Sequence, residues 1–314
     1  MMNLAIETRS LTKKYGNTTV LDNLTLDVEK NTICGLLGRN GAGKTTLMSI
    51  LAGQELKTSG QARVLGAEPF ENAQVLAGLS FARENQKYPE EFKVSHVVRA
   101  AAWFYAGWDA DLARRLVGEF RLPLKTPIKK LSRGQLSAVA IVVGLASRAP
   151  VTFFDEPYLG LDATARGIFY DLLLEDYMEH PRTILMSTHL IDEAANLLEH
   201  VVVLQDGRKV LDSSVEEATR SAFTLSGTAT AVDTAVGGRQ ILRSQALGGL
   251  RSVTIAGNPD DALRSAAKAA GLEVGPVTLQ ELVAAFGLLE SGESSLAAAS
   301  SPPQTRHEAE EAIR

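Results

Sequence analysis

Gly38-Arg39-Asn40-Gly41-Ala42-Gly43-Lys44-Thr45 is the stretch on which the reading of this chain turns. It satisfies G-x-x-x-x-G-K-[ST], and each position has a physical reason. The glycines let backbone N–H groups turn inward and cradle phosphate oxygens. Lys44 reaches the β and γ phosphates, and the Thr45 hydroxyl can ligate Mg²⁺. The flanks fit. Ile33-Cys34-Gly35-Leu36-Leu37 reads as a buried parallel strand, and residues 45–51 read as a helix opening directly after the loop. A helix N-terminus aimed at phosphate adds its dipole to the site. All eight residues, with Thr46 behind them, are candidate contacts for a nucleoside triphosphate.

Length and composition set the frame. The 314 residues allow one large domain and a smaller one. With 45% hydrophobic and 22% charged residues the composition is globular, and a net charge of −5 gives no general attraction to nucleic acid or anionic lipid. Cys34 is the only cysteine, so no intrachain disulfide can form, and its strand position suits a small core residue. The longest apolar run, residues 138–146, falls well short of the ~18 residues a membrane span needs. The first residues lack a basic region followed by an apolar core, so no signal peptide is expected. The expectation is a cytoplasmic protein that reaches a membrane only through a partner.

Strand-like runs at residues 4–8, 20–28, 33–37 and 75–82 give way to helical signal at 94–105 and 111–120. Strand-like runs return at 151–154, 183–187 and 201–204, with helices expected at 164–179 and 191–198. Gln205-Asp206-Gly207-Arg208 reads as a hairpin turn into 209–211. This alternation predicts a parallel α/β sheet with a helical insertion. Composition shifts to Ala, Gly, Thr and Ser after about residue 213. A strand is expected at 251–256, followed by a helix opening at Asn258 with Pro259 at its first position and closing at Gly271. Thr278 and Glu281 form a capping box for a last helix to about residue 289. The Ser-, Ala-, Glu- and Pro-rich stretch 291–314 reads as a disordered tail.

Val151-Thr152-Phe153-Phe154-Asp155-Glu156 is an apolar strand ending in two carboxylates. Beside a phosphate loop, Asp155 can hold Mg²⁺, and Glu156 can orient or deprotonate an attacking water. Leu131-Ser132-Arg133-Gly134-Gln135 lies upstream and opens a helix over 136–147. With these motifs in order, the chain resembles the ATP-binding subunit of an ABC transporter over roughly residues 3–212. The family signature is L-S-G-G-Q, and Arg133 stands where the family has its first glycine.

The resemblance implies a P-loop NTPase core of ABC type: a parallel sheet, an antiparallel β subdomain and a helical insertion over about 85–148. A small α+β accessory domain over about 215–290 would follow. Ser132, Gly134 and Gln135 would hold a γ-phosphate across a dimer. Asp162, in Leu159-Gly160-Leu161-Asp162, resembles the D-loop residue facing the partner subunit. His189, after Ser187-Thr188, resembles the switch histidine at the γ-phosphate, and Tyr15 the aromatic that stacks on adenine. The family's metal-contacting Gln falls at Glu84, with Gln86 two residues on. Trp103, Phe104, Tyr105 and Trp108 would contribute to the surface that receives the membrane subunit, with packing in the core of the helical insertion as the alternative for some of them.

The implied function is hydrolysis of MgATP to power transport through a separate transmembrane permease, with a leaning to ABC-2-type export. The subunit would form an ATP-dependent homodimer, or a heterodimer with a second ATPase subunit, on the inner face of the membrane. The alternative is a non-transport ABC ATPase of translation or DNA repair. Translation members usually carry two phosphate loops, and repair members carry coiled-coil or zinc insertions. This chain has one phosphate loop, one cysteine and no sustained heptads.

Overall fold

The computed structural model describes residues 3–83 and 86–286. Glu84, the end of the expected last helix and the stretch 291–314 lie outside the described residues. The described residues fall into two compact units: residues 3–221 with Thr278–Val283, and Ala222–Val277 with residues 284–286.

The first unit opens with β1 (Leu4–Tyr15) and β2 (Thr18–Glu29), a long antiparallel pair turned at Gly16. Next come β3 (Ile33–Leu37), the phosphate loop, α1 (Lys44–Leu51) and β4 (Ser59–Val64). β4 returns to β1, making a three-stranded antiparallel sheet ordered β2-β1-β4. Every residue of β3 is buried. That is the expected signature of a parallel strand covered on both faces. Leu11, Leu26, Leu47, Met48, Phe153 and Leu185 share one core that spans both sheets and α1. Each such side chain contributes about 1.5–3 kcal/mol by leaving water.

The expected strand at 75–82 divides into α2 (Ala73–Ala77) and β5 (Leu79–Arg83). Asn72 Oδ1 accepts from Val75 N at 3.3 Å and Gly78 N donates to Val75 O, closing one short helical turn. A short apolar run does not by itself distinguish helix from strand. The insertion carries α3 (Val94–Phe104), α4 (Ala110–Glu119) and α5 (Arg133–Ala146). Then follow β6 (Val151–Asp155), α6 (Ala163–Glu179), β7 (Thr183–Ser187), α7 (Ile191–Ala194), β8 (His200–Gln205), β9 (Arg208–Ser214) and α8 (Val215–Arg220). α7 is a single turn, shorter than the expected 191–198.

These strands form a six-stranded sheet ordered β5-β6-β7-β3-β8-β9, parallel except for the β8–β9 hairpin. Registers Leu36↔Ser187 and Asp155↔Ser187 bring the carboxyl ends of β3, β7 and β6 side by side. Ligands of open α/β sheets bind beyond such ends.

The second unit runs β10 (Ala222–Thr228), α9 (Ala229–Val236), β11 (Ile241–Leu247), β12 (Leu250–Ala256), α10 (Asp261–Ala269) and β13 (Glu273–Pro276). Its sheet order, β11-β12-β10-β13 with every pair antiparallel, is the split β-α-β-β-α-β arrangement. Alternate residues Phe223, Leu225, Val253 and Ile255 pack on Val232, Val236, Leu263 and Ala267 of the helices. The helix cap here is Asp260, whose Oδ1 accepts from Leu263 N at 2.6 Å, so Pro259 precedes the helix. An aspartate carboxylate two residues downstream outcompetes Asn258 for the free amides. α11 (Leu279–Phe286) opens with the expected Thr278–Glu281 capping box.

Candidate functional site

The loop after β3 is held in a conformation only its glycines tolerate. Gly43 sits at φ +102°, and a Cβ there would lie 2.9 Å from the Val20 carbonyl. Lys44 is buried, and its Nζ donates to Gly38 O at 2.8 Å and Arg39 O at 3.1 Å, bracing the loop from within. Burial lowers the pKa of this ammonium, while the charges of Glu156 and Asp155 pull it back up. Ala42 is buried beneath the loop, and Asn40, Gly41, Thr45 and Thr46 line an open cleft of about 910 Å³. Its lining also includes Val20, Arg83, Gln86, Lys87, Asp155 and Glu156. Three cations and several hydroxyl and amide donors thus face one space, a chemistry that suits polyphosphate. Arg83, Lys87 and Val20 carried no motif and were legible only as flanks. Gln86 lines this cleft, whereas Glu84 is outside the described residues.

Asp155 is buried at the end of β6, where its Oδ1 accepts from Ser187 Oγ at 2.6 Å. Ser187 Oγ also accepts from Glu156 N at 3.0 Å, so one hydroxyl ties both acidic positions to the end of β7. Glu156 adopts φ +48°, rare for a residue with a side chain and costing on the order of 1 kcal/mol. Strain of this kind collects at functional positions. His189 Nδ1 lies 3.4 Å from Glu156 Oε2 and 3.1 Å from the Tyr158 hydroxyl. Ser187 was quoted in the sequence only as the end of a strand, and no spacing rule could give it this bridging place.

The donor set fits a magnesium ion. Asp155 keeps Oδ2 free of protein partners among the described residues, and Thr45 supplies a hydroxyl on the same cleft. No cluster of three or more His, Cys, Asp or Glu side chains exists among the described residues that could cage a metal alone. Mg²⁺ suits such a sparse site, because it keeps waters and takes ligands from substrate phosphates.

Ser132, Gly134, Gln135 and Asp162 do not join that cleft. They line a separate depression of about 700 Å³ with Gly160 and Leu161. Ser132 caps α5, with Ser132 Oγ accepting from Gln135 N and Gln135 Oε1 from Ser132 N, so the Gln135 side chain is engaged in its own capping box. A Cβ on Gly134 would lie 2.3 Å from Gly160 O, and Ser137 Oγ donates to Leu159 O at 2.6 Å. The start of α5 is thereby locked to the loop that carries Asp162, which caps α6 through Ala165 N. Arg133 is exposed.

Tyr15 ends β1, 48% exposed, with the Lys13 ammonium 4.5 Å from its ring centre; it is not part of the phosphate-loop cleft lining. At the end of α3, Trp103 and Phe104 are 77% and 78% exposed, whereas Tyr105 and Trp108 are partly buried. Among the described residues no helix is long and apolar enough to cross a membrane.

A family profile described as ABC transporter matches residues 21–159. The chain is 33% identical over 225 residues to the aliphatic sulfonates import ATP-binding protein SsuB 3 of Paraburkholderia xenovorans (strain LB400), covering 70% of this chain and 85% of that one. It is 30% identical over 222 residues to the Nod factor export ATP-binding protein I of Cupriavidus metallidurans (strain CH34), covering 69% and 73%. Among solved structures it is similar to an ATP-binding subunit of an ABC transporter, with TM-score 0.63, 27% identity, and coverage of 69% and 92%.

Proposed function

The chain belongs to the ABC transporter family as an ATP-binding ATPase, and from that premise we propose that it powers transport through a separate transmembrane permease. The observation that carries the reading is the meeting of the phosphate loop, Asp155-Glu156 and the Ser187–His189 segment at the ends of three adjacent parallel strands. In this reading residues 3–212 form the ATP-binding domain and residues 215–290 an accessory domain. Residues 38–46 hold the triphosphate, Lys44 neutralises its β and γ groups, and Tyr15 stacks on adenine with the ring face opposite Lys13. Thr45 and Asp155 would hold Mg²⁺, which neutralises charge on the phosphates. Glu156 takes the proton of the attacking water, and His189 contacts the γ-phosphate.

The separation of the two clefts supports a dimer. A second copy, or a second ATPase chain, would bring its Ser132, Gly134 and Asp162 to the first chain's phosphate cleft, and two-fold symmetry repeats the contact. The exposed Trp103 and Phe104 offer apolar area for the permease, which would hold the subunit at the cytoplasmic face of the membrane. The relatives' names include both import and export. We favour export, because a short unit follows the cassette as in subunits that serve ABC-2-type permeases. Nothing in the described residues favours the translation or repair alternative.

Steady-state hydrolysis of MgATP tests the assignment. Glu156→Gln should bind ATP with near wild-type affinity and lose roughly 100-fold or more in turnover, since only the transition state needs the base. Lys44→Ala should lose ATP binding by calorimetry. Equal turnover in wild type and Glu156→Gln would overturn the catalytic assignment, and purification of the native complex without a membrane protein would overturn the transport role.

A further inference from the structure

Tyr158 stands where the resemblance assigns no role, yet three partners converge on its hydroxyl. The side chain is 2% exposed, and its ring meets the His189 ring edge-on at 5.4 Å. His189 N donates to the phenol oxygen at 2.8 Å, and Thr188 Oγ1 donates to it at 3.0 Å. Thr188 Oγ1 in turn accepts from Leu190 N at 2.9 Å. A phenol oxygen has two lone pairs and one proton. Both lone pairs are taken, so the proton is left for His189 Nδ1, 3.1 Å away. Burial pushes the Tyr158 pKa up, which keeps that proton on the oxygen.

We propose that Tyr158 is a positioning residue that fixes the tautomer of His189, holding Nδ1 as an acceptor and placing the ring proton on Nε2. The competing arrangement is visible in the same site. Glu156 Oε2 lies 3.4 Å from Nδ1, ready to accept a proton from the other tautomer. That tautomer would engage the carboxylate as a hydrogen-bond acceptor and leave a bare lone pair on Nε2. A lone pair repels phosphate oxygens, whereas an N–H donates to them. The hydroxyl of Tyr158 therefore does two things at once: it keeps Glu156 free to take a proton from water, and it turns His189 into a donor. This consequence for hydrolysis rests on the reading of the site given above; the tautomer itself does not.

The test uses the full chain labelled with ¹⁵N-histidine, without nucleotide, at about pH 8, above the ordinary histidine range. Of the five histidines, His189 is assigned by its loss in His189→Gln. Wild type should show a pyridine-type Nδ1 and a pyrrole-type Nε2. Tyr158→Phe, which removes only the hydroxyl, should shift His189 toward the Nδ1–H tautomer. The same variant should lower kcat for MgATP roughly tenfold, equivalent to about 1.4 kcal/mol in the barrier, with KM within about twofold of wild type. A pyrrole-type Nδ1 in wild type overturns the proposal, and that spectrum decides even if the variant fails to fold. An unchanged tautomer overturns it as well, and a tautomer shift with kcat intact overturns its consequence for hydrolysis. Glu156→Gln assayed alongside separates the two failures: wild-type turnover there would condemn the catalytic reading and leave the tautomer result standing on its own.

Discussion

Ser187 shows how much a single hydroxyl can organise. It donates to Asp155 Oδ1 and accepts from Glu156 N, so the metal-binding candidate and the base candidate are oriented by the same atom. The Glu156 backbone is held at φ +48° against its own preference, and the hydrogen bond its N–H donates to Ser187 Oγ is one of the restraints that hold it. Ser187→Ala should leave a buried carboxylate and an amide each short of one partner. Stability should fall by roughly 1–3 kcal/mol in urea denaturation. Turnover should fall about tenfold through misplacement of the base, with ATP affinity near wild type. Unchanged kcat in a folded Ser187→Ala protein would make the hydroxyl a bystander to chemistry.

Among the elements, the start of α5 tolerates little change. Ser132 and Gln135 close its cap, and Gly134 lets the Gly160 carbonyl approach to a distance no Cβ allows. Gly134→Ala should force this helix end and the Asp162 loop apart while leaving the phosphate cleft intact. In the Glu156→Gln background, size-exclusion chromatography with ATP should give a dimer. Adding Gly134→Ala should return it to monomer, while ATP binding to the single chain persists. A dimer of equal stability in both backgrounds would place the subunit interface elsewhere. The sequence reading places only a helix start here, although Ser three residues before Gln at the head of an apolar run is the local pattern of a capping box. The approach of Gly134 to Gly160 was not legible, since it joins segments that no local rule relates.

At the scale of the molecule, the division at residue 221/222 is not a clean cut. Thr278–Val283 belong to the first unit, and Leu279 and Leu282 in that stretch are 3% and 0% exposed. Truncation after Ser214 should therefore strip buried leucines from the ATPase unit and lower its melting temperature by several degrees; losing one such side chain costs about 2–5 kcal/mol. Truncation after Glu290 removes only a polar, low-complexity stretch and should leave melting temperature, ATP affinity and basal hydrolysis unchanged. A loss of hydrolysis in that shorter chain, still folded, would assign the stretch a regulatory role.

What the sequence determined by itself is local and periodic. The phosphate loop, the apolar strands before Lys44 and Asp155, the capping box at Thr278 and the β8–β9 turn all rest on contacts within a few residues. They survive being read without a fold. Where a short stretch admitted two local readings, as at residues 75–77 and at Asn258 against Asp260, pattern alone chose wrongly. The tertiary structure decided everything that depends on which strand lies beside which. The order β6-β7-β3 brings Ser187 to Asp155, Tyr158 to His189 and both carboxylates to the phosphate cleft, while Ser132 and Asp162 go to another face. Residues 30 or more positions apart meet only because parallel strands pair through crossovers, and hydrogen bonds made across that distance leave no period in the chain.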